Sequence, residues 1–166
     1  MNDVPADRAT QIVVAIDGSR PSLAALAWAV GEARTAGREL HAVRVFDPTF
    51  LYSPPAPVFE SIAVARTAER EALERDVAGT AGANPDVPVH LELIQGQPAI
   101  EIVRRCEGVA MLVMGSHGRS RVGSTILGSV GAACVRKAGC PVVVIPPKAA
   151  DPLLEAAGGA TAGTAV

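Results

Sequence analysis

The chain has 166 residues, is 49% hydrophobic but only 3% aromatic, and carries a formal net charge of −2. That is length and apolar content for one domain with a core of small and branched side chains, and it lacks the concentrated basic face of a nucleic-acid binder. No apolar run reaches the ~18 residues of a membrane span, and the leading MNDVPADRATQ has no apolar stretch of the signal-peptide kind, so the expected location is the cytoplasm.

After a flexible N-terminus over residues 1–10, QIVVAI at 11–16 is a continuous apolar run, the pattern of a strand buried on both faces of a parallel sheet. Asp17-Gly18-Ser19 ends it, and Pro21 falls in the first turn of the next element, where a missing N–H costs nothing. Leu23, Leu26, Ala27 and Val30 then recur at helical spacing up to Gly37. ELHAVRVF at 39–46 predicts a second strand. The next segment, DPTFLYSPPAP at 47–57, has four prolines and is read as a long loop, a lid in which Phe50 or Tyr52 covers a bound base.

Residues 58–83 read as a long helix whose charges, Glu69 to Asp76, form a solvated face with i,i+4 pairs. PVHLELI at 88–94 is a third strand, 99–107 a short helix and 109–114 a fourth strand. Residues 127–138 form a helix closed by Gly139, and Val142–Ile145 is a fifth strand bracketed by Pro141 and Pro146. The remainder, 148–166, is small-residue, low-complexity sequence expected to be disordered, with at most a helical turn or two. Five strands alternating with four helices predict an α/β fold: an open, doubly wound parallel sheet with helices on both faces, spanning 11–147. Ligands of such sheets bind at the carboxyl ends of the strands, where the strand order reverses.

The stretch GSHGRSRVGSTILGSV at 115–130 carries the chemistry. It offers G-x-x-x-x-G spacing from Gly118 to Gly123, but Ser124 stands where a Walker lysine must be, and G-x-G-x-x-G does not occur. The spacing Gly115-x2-Gly118-x9-Gly128-Ser129 joins a strand end to a helix start instead. Its glycines let backbone N–H groups converge on an anion, the helix start adds free N–H groups and a favourable dipole, and Arg119 and Arg121 supply charge. This is a two-jawed phosphate cradle.

With IVVAIDGS (12–19), VMGSHGR (113–119), LGSV (127–130) and CPVVVIPP (140–147), residues 10–147 resemble the universal stress proteins, and the glycine spacing resembles their ATP-binding branch. The resemblance implies an ATP-responsive regulatory module with Mg2+ bridging phosphate oxygens. It implies Asp17 beside nucleoside and metal, Ala15 and Val45 at adenine, and Met114 to Arg119, including Gly115, His117 and Gly118, around ribose and phosphates. It also implies Gly128, Ser129 and Val130 at the outer phosphates, and a homodimer joined through the exposed fifth strand, Val142–Ile145. Where many members have an aspartate early in the fourth strand, this chain has Ala110.

Other readings stay open. Asp17 alone could simply cap the turn into the first helix. The site could bind another adenine nucleotide such as cyclic AMP, or slowly hydrolyse or transfer phosphate, although no general base is evident and no enzyme is expected. Ser116 and His117 are not expected to face each other. His41 and His90 are read as packed or hydrogen-bonded strand residues, and Trp28 as core. Cys106, Cys134 and Cys140 are read as buried thiols rather than a disulfide framework.

Overall fold

The computed structural model describes residues 8–48, 58–82, 86–117 and 127–161. Five strands are hydrogen-bonded in parallel: β1 (Gln11–Ala15), β2 (Glu39–Phe46), β3 (Val89–Gln95), β4 (Met111–Gly115) and β5 (Val142–Ile145). Their order is β3-β2-β1-β4-β5. The chain therefore winds one way from β1 and the other way from β4, so the order reverses between these two central neighbours. Every residue of β1 is buried, which is why Ile12–Ala15 are continuously apolar rather than alternating.

Three helices cover one face: α1 (Arg20–Ala36), α2 (Val58–Ala81) and α5 (Pro147–Thr161). Their core includes Ile12, Val14, Leu26, Ala29, Leu40, Leu73 and Val77, with Trp28 partly buried against it. The other face carries α3 (Pro98–Arg105) and α4 (Ser129–Lys137), over Val13, Val43, Ile102, Leu112 and Cys134. Ser19 caps α1 by accepting the Ser22 N–H, and Gly37 ends it at φ 62°, the left-handed conformation that glycine adopts without a Cβ clash. At the end of α4, by contrast, the cap is Ala138 in extended conformation, and no left-handed glycine is used.

The expectation of disorder after residue 147 is overturned for the described part of that segment. Pro147 opens α5, and Ala149, Ala150, Leu153 and Leu154 pack on the α1–α2 side of the sheet. These four apolar residues lie at i, i+1, i+4 and i+5, a narrow stripe among small residues. Its amphipathic character emerges only once a partner surface is present. An exposed Arg20–Asp151 ion pair accompanies it and adds little.

Two polar features are buried in the sheet faces. Arg44 of β2 is 2% exposed and pairs with Glu69 (3.0 Å) and Asp76 (3.1 Å) of α2. Two of the charges read from sequence as a solvated face thus turn inward. On the opposite face Glu92 of β3 accepts two hydrogen bonds from Arg105 of α3 and meets His41 of β2 at 2.5 Å. Burial opposes ionisation of Glu92, but the bonds from Arg105 and His41 outweigh it and hold its carboxyl at about 2.

The three cysteines are free thiols; Cys106 and Cys134 are buried as expected, whereas Cys140 is only partly buried. Burial pushes the Cys106 thiol up to about 12 and that of Cys134 to about 11, so both stay protonated and inert. Among the described residues no helix is long and apolar enough to cross a membrane.

Candidate functional site

The loops that leave β1 and β4 lie side by side at the point where the strand order reverses, because their strands are paired neighbours. Hydrogen bonds lace them together. Ser19 Oγ donates to the His117 carbonyl at 3.3 Å, joining the first loop to the second. The Ser116 N–H donates to the Ile145 carbonyl at 3.0 Å, fixing the β4 loop to the end of β5. Most telling, the Gly128 N–H donates to the Ser116 carbonyl at 2.8 Å. The chain that leaves β4 returns to its own starting point before entering α4.

Gly128 is the N-cap of α4, and its carbonyl accepts the first intrahelical bond, from Ala132 at 2.8 Å. Having no side chain, it caps none of the first-turn N–H groups. Ser129, Val130 and Gly131 therefore head a helix whose leading donors have no intrahelical acceptor, at the positive end of its dipole. The two jaws inferred from sequence, at Gly115 and at Gly128, are brought together by one backbone hydrogen bond.

The apolar candidates converge as well. Ala15 and Met114 are core residues on the α3–α4 face, and Val45 and Val130 are partly buried against the same cluster. They lie toward the carboxyl ends of β1, β4 and β2 and in the first turn of α4. Asp17 is partly buried where β1 ends. Its Oδ1 accepts the Ser19 N–H at 3.0 Å and its own N–H donates to Ser22 Oγ at 3.4 Å. Asp17 thus shapes the turn into α1, while Ser19 performs the capping itself. Gly118 and Arg119, with Arg121, lie outside the described residues, as do positions 49–57 of the expected lid with Phe50 and Tyr52.

Two sequence readings change. Gly115 was expected to be glycine so that a ligand could approach. Its missing Cβ faces the other way: a Cβ there would lie 2.8 Å from the Pro21 carbonyl carbon and 2.9 Å from the Ser22 nitrogen. Glycine is needed because the first turn of α1 packs directly on the end of β4. Ser116 and His117, expected not to face each other, bring Oγ and Nδ1 to 3.1 Å. Ser116 is only 3% exposed, so its hydroxyl ties the loop together rather than presenting a nucleophile.

Ser19 and Gly131 are the residues of this rim to which sequence reading gave no role in the site. A Cβ on Gly131 would come within 2.9 Å of two Leu127 side-chain atoms and 3.5 Å from Met114, so this glycine leaves room for the Leu127 side chain at the start of α4. The local signal was its position, three residues after Gly128 in the first helical turn.

Residues 9–146 match the universal stress protein family. A universal stress protein of Mycobacterium tuberculosis is 36% identical over 141 residues, covering 85% of this chain and 47% of that protein. The chain spans about half the length of the curated relatives it matches. Among solved structures, the universal stress protein UspA from Lactobacillus plantarum is 26% identical with a TM-score of 0.70, covering 83% of this chain and 98% of that one. Two more share the fold at 20% identity: a universal stress protein in complex with cAMP (TM-score 0.54; 84% and 98% covered) and one from Archaeoglobus fulgidus in complex with dAMP (TM-score 0.51; 83% and 98% covered). From the extent of the family match and the identity to this relative, this chain belongs to the universal stress protein family.

Proposed function

We propose that the domain is a nucleotide-operated regulatory module that binds Mg-ATP at the rim between β1 and β4. The observation that carries this reading is the return of Gly128 onto the Ser116 carbonyl, which sets the uncapped start of α4 beside the loop after β4. An anionic phosphate chain supplies the acceptors those N–H groups lack. Ser129 adds a hydroxyl, Val130 a further N–H, and the Asp17 carboxylate stands across the rim where it would meet Mg2+, a hard cation that prefers oxygen ligands. Ala15, Val45 and Met114 line the side suited to adenine. The solved relatives crystallised with cAMP and dAMP support an adenine ligand. The G-x2-G-x9-G-S spacing supports a longer phosphate chain.

Calorimetric titration with ATP, ADP, AMP and cyclic AMP, with and without Mg2+, tests the reading. ATP with Mg2+ is expected to bind tightest. Gly128→Pro keeps the local φ of −67° but deletes the N–H that closes the loop. It is expected to weaken ATP binding about tenfold or more, the effect of losing roughly 1.4 kcal/mol. Tighter binding of cyclic AMP would reassign the ligand, and no binding of any of the four would overturn the site. In the same samples phosphate release is expected to stay at background, as for a binder; sustained turnover would make the domain a slow hydrolase.

The same reading includes a cytoplasmic homodimer. β5 edges the sheet and pairs only with β4 among the described residues. Its backbone edge, short and apolar, suits antiparallel pairing with a second copy about a two-fold axis. Sedimentation at micromolar concentration is expected to give a dimer, and a monomer would refute the pairing.

A further inference from the structure

A second polar constellation lies at the other end of the sheet, where β2 and β3 begin. The two strands pair in register with His41 opposite His90. Period-two alternation places Glu39 on the same face as His41, and Glu92 on the same face as His90. The imidazoles stack with centroids 4.7 Å apart and planes at 24°. Glu39 Oε2 lies 3.7 Å from His41 Nε2 and 3.8 Å from His90 Nε2. One ligating atom from each of the three residues lies within 4.8 Å of the others.

His41 is the informative member. It is 8% exposed, yet its Nε2 has no hydrogen-bond partner among the described residues. Its other nitrogen, Nδ1, meets the Glu92 carboxylate at 2.5 Å, which places the ring proton there. Arg105 in turn grips both oxygens of Glu92 at 2.7 Å. The Nε2 lone pair then belongs to an atom 3.7 Å from a second acceptor, the Glu39 carboxylate. A buried imidazole nitrogen without a hydrogen-bond partner among the described residues thus lies beside a half-exposed carboxylate, and a cation held by both would satisfy it.

We infer that Glu39, His41 and His90 form a binding site for a divalent transition-metal ion, and that its donor set best suits Zn2+. Two imidazole nitrogens and one carboxylate oxygen are a borderline-soft set that Zn2+ accepts in tetrahedral geometry with a water as fourth ligand. Mg2+ and Ca2+ select oxygen ligands instead. Glu92 supplies the carboxylate behind the histidine that fixes ring orientation and raises its basicity. The His90 and Glu39 side chains are 51% and 42% exposed, so an ion reaches the site from solvent and both side chains have room to close on it. The bound ion would pin β3, an edge strand, to β2. It is separate from the nucleotide rim, which lies at the carboxyl ends of the strands.

The test uses the tag-free full chain, stripped with chelator and titrated with Zn2+ against a competing chromophoric chelator. One Zn2+ per chain is expected. Glu39→Gln and His90→Ala alter half-exposed side chains and leave the fold intact by circular dichroism. Each is expected to weaken Zn2+ about tenfold or more. Co2+ in place of Zn2+ is expected to show the visible bands of a four-coordinate ion without thiolate charge transfer. Absence of Zn2+ binding would overturn the inference. So would equal affinity in the Glu39→Gln/His90→Ala double variant, or a thiolate band showing that the ion sits on cysteine.

Discussion

A Gly115→Ala chain is expected to lose about 2–3 kcal/mol of stability, the upper part of the range for overpacking a tight contact. The added methyl would sit 2.8 Å from both the carbonyl carbon and the Cβ of Pro21, and 2.9 Å from the Ser22 nitrogen. Two of these are backbone atoms, so no side-chain rotation relieves the contact. The first turn of α1 must move, and with it Ser19, whose hydroxyl bonds the His117 carbonyl. Nucleotide affinity should fall along with stability, because the same shift parts the two loops of the rim. Urea unfolding followed by the fluorescence of Trp28, the chain's single tryptophan, reads the effect as a lower midpoint at unchanged slope. A midpoint equal to the parent's would show that α1 and β4 are not held in rigid contact.

Arg44→Ala is expected to cost more, about 3–5 kcal/mol, the usual range for removing one partner of a buried ion pair. Arg44 is the largest fully buried side chain among the described residues, and its guanidinium pairs with two carboxylates of α2 at once. Alanine leaves a cavity and removes the Arg44 charge from beside both carboxylates. Arg44→Met, which keeps most of the volume, should recover part of the loss, and the difference separates packing from charge. Thermal unfolding of the three chains measures it. Equal stability of the methionine and alanine variants would assign the whole effect to charge. A loss below about 1 kcal/mol in alanine would show that Glu69 and Asp76 simply turn to water.

Much of the site was legible because its parts are local. Asp17 follows a buried strand, and the glycine spacing from 115 to 128 links a strand end to a helix start. The structure places Ala15 and Met114 in one apolar cluster on the α3–α4 face, with Val45 and Val130 packed against it. What a linear reading assigned wrongly was the reason for a residue rather than its position. Gly115 is glycine because of Pro21, which is 94 positions earlier in the chain and a neighbour only after β1 and β4 pair.

By itself, then, the amino-acid order determined the identity and succession of the five strands, the helices between them and the rim that carries the glycine motif. Those features depend on short-range periodicity: continuous apolar runs for strands buried on both faces, helical spacing for α1, and proline and glycine at the breaks. Only the tertiary structure decided the features that depend on register and docking. The helix at Pro147–Thr161 forms where its narrow stripe finds the α1–α2 face. Arg44 turns inward because α2 brings two carboxylates over β2. His41 meets Glu92 across 51 positions because β2 and β3 pair in one register and not the next. A shift of one residue would send every one of those side chains to the opposite face, so no property of either segment alone could have specified the encounter.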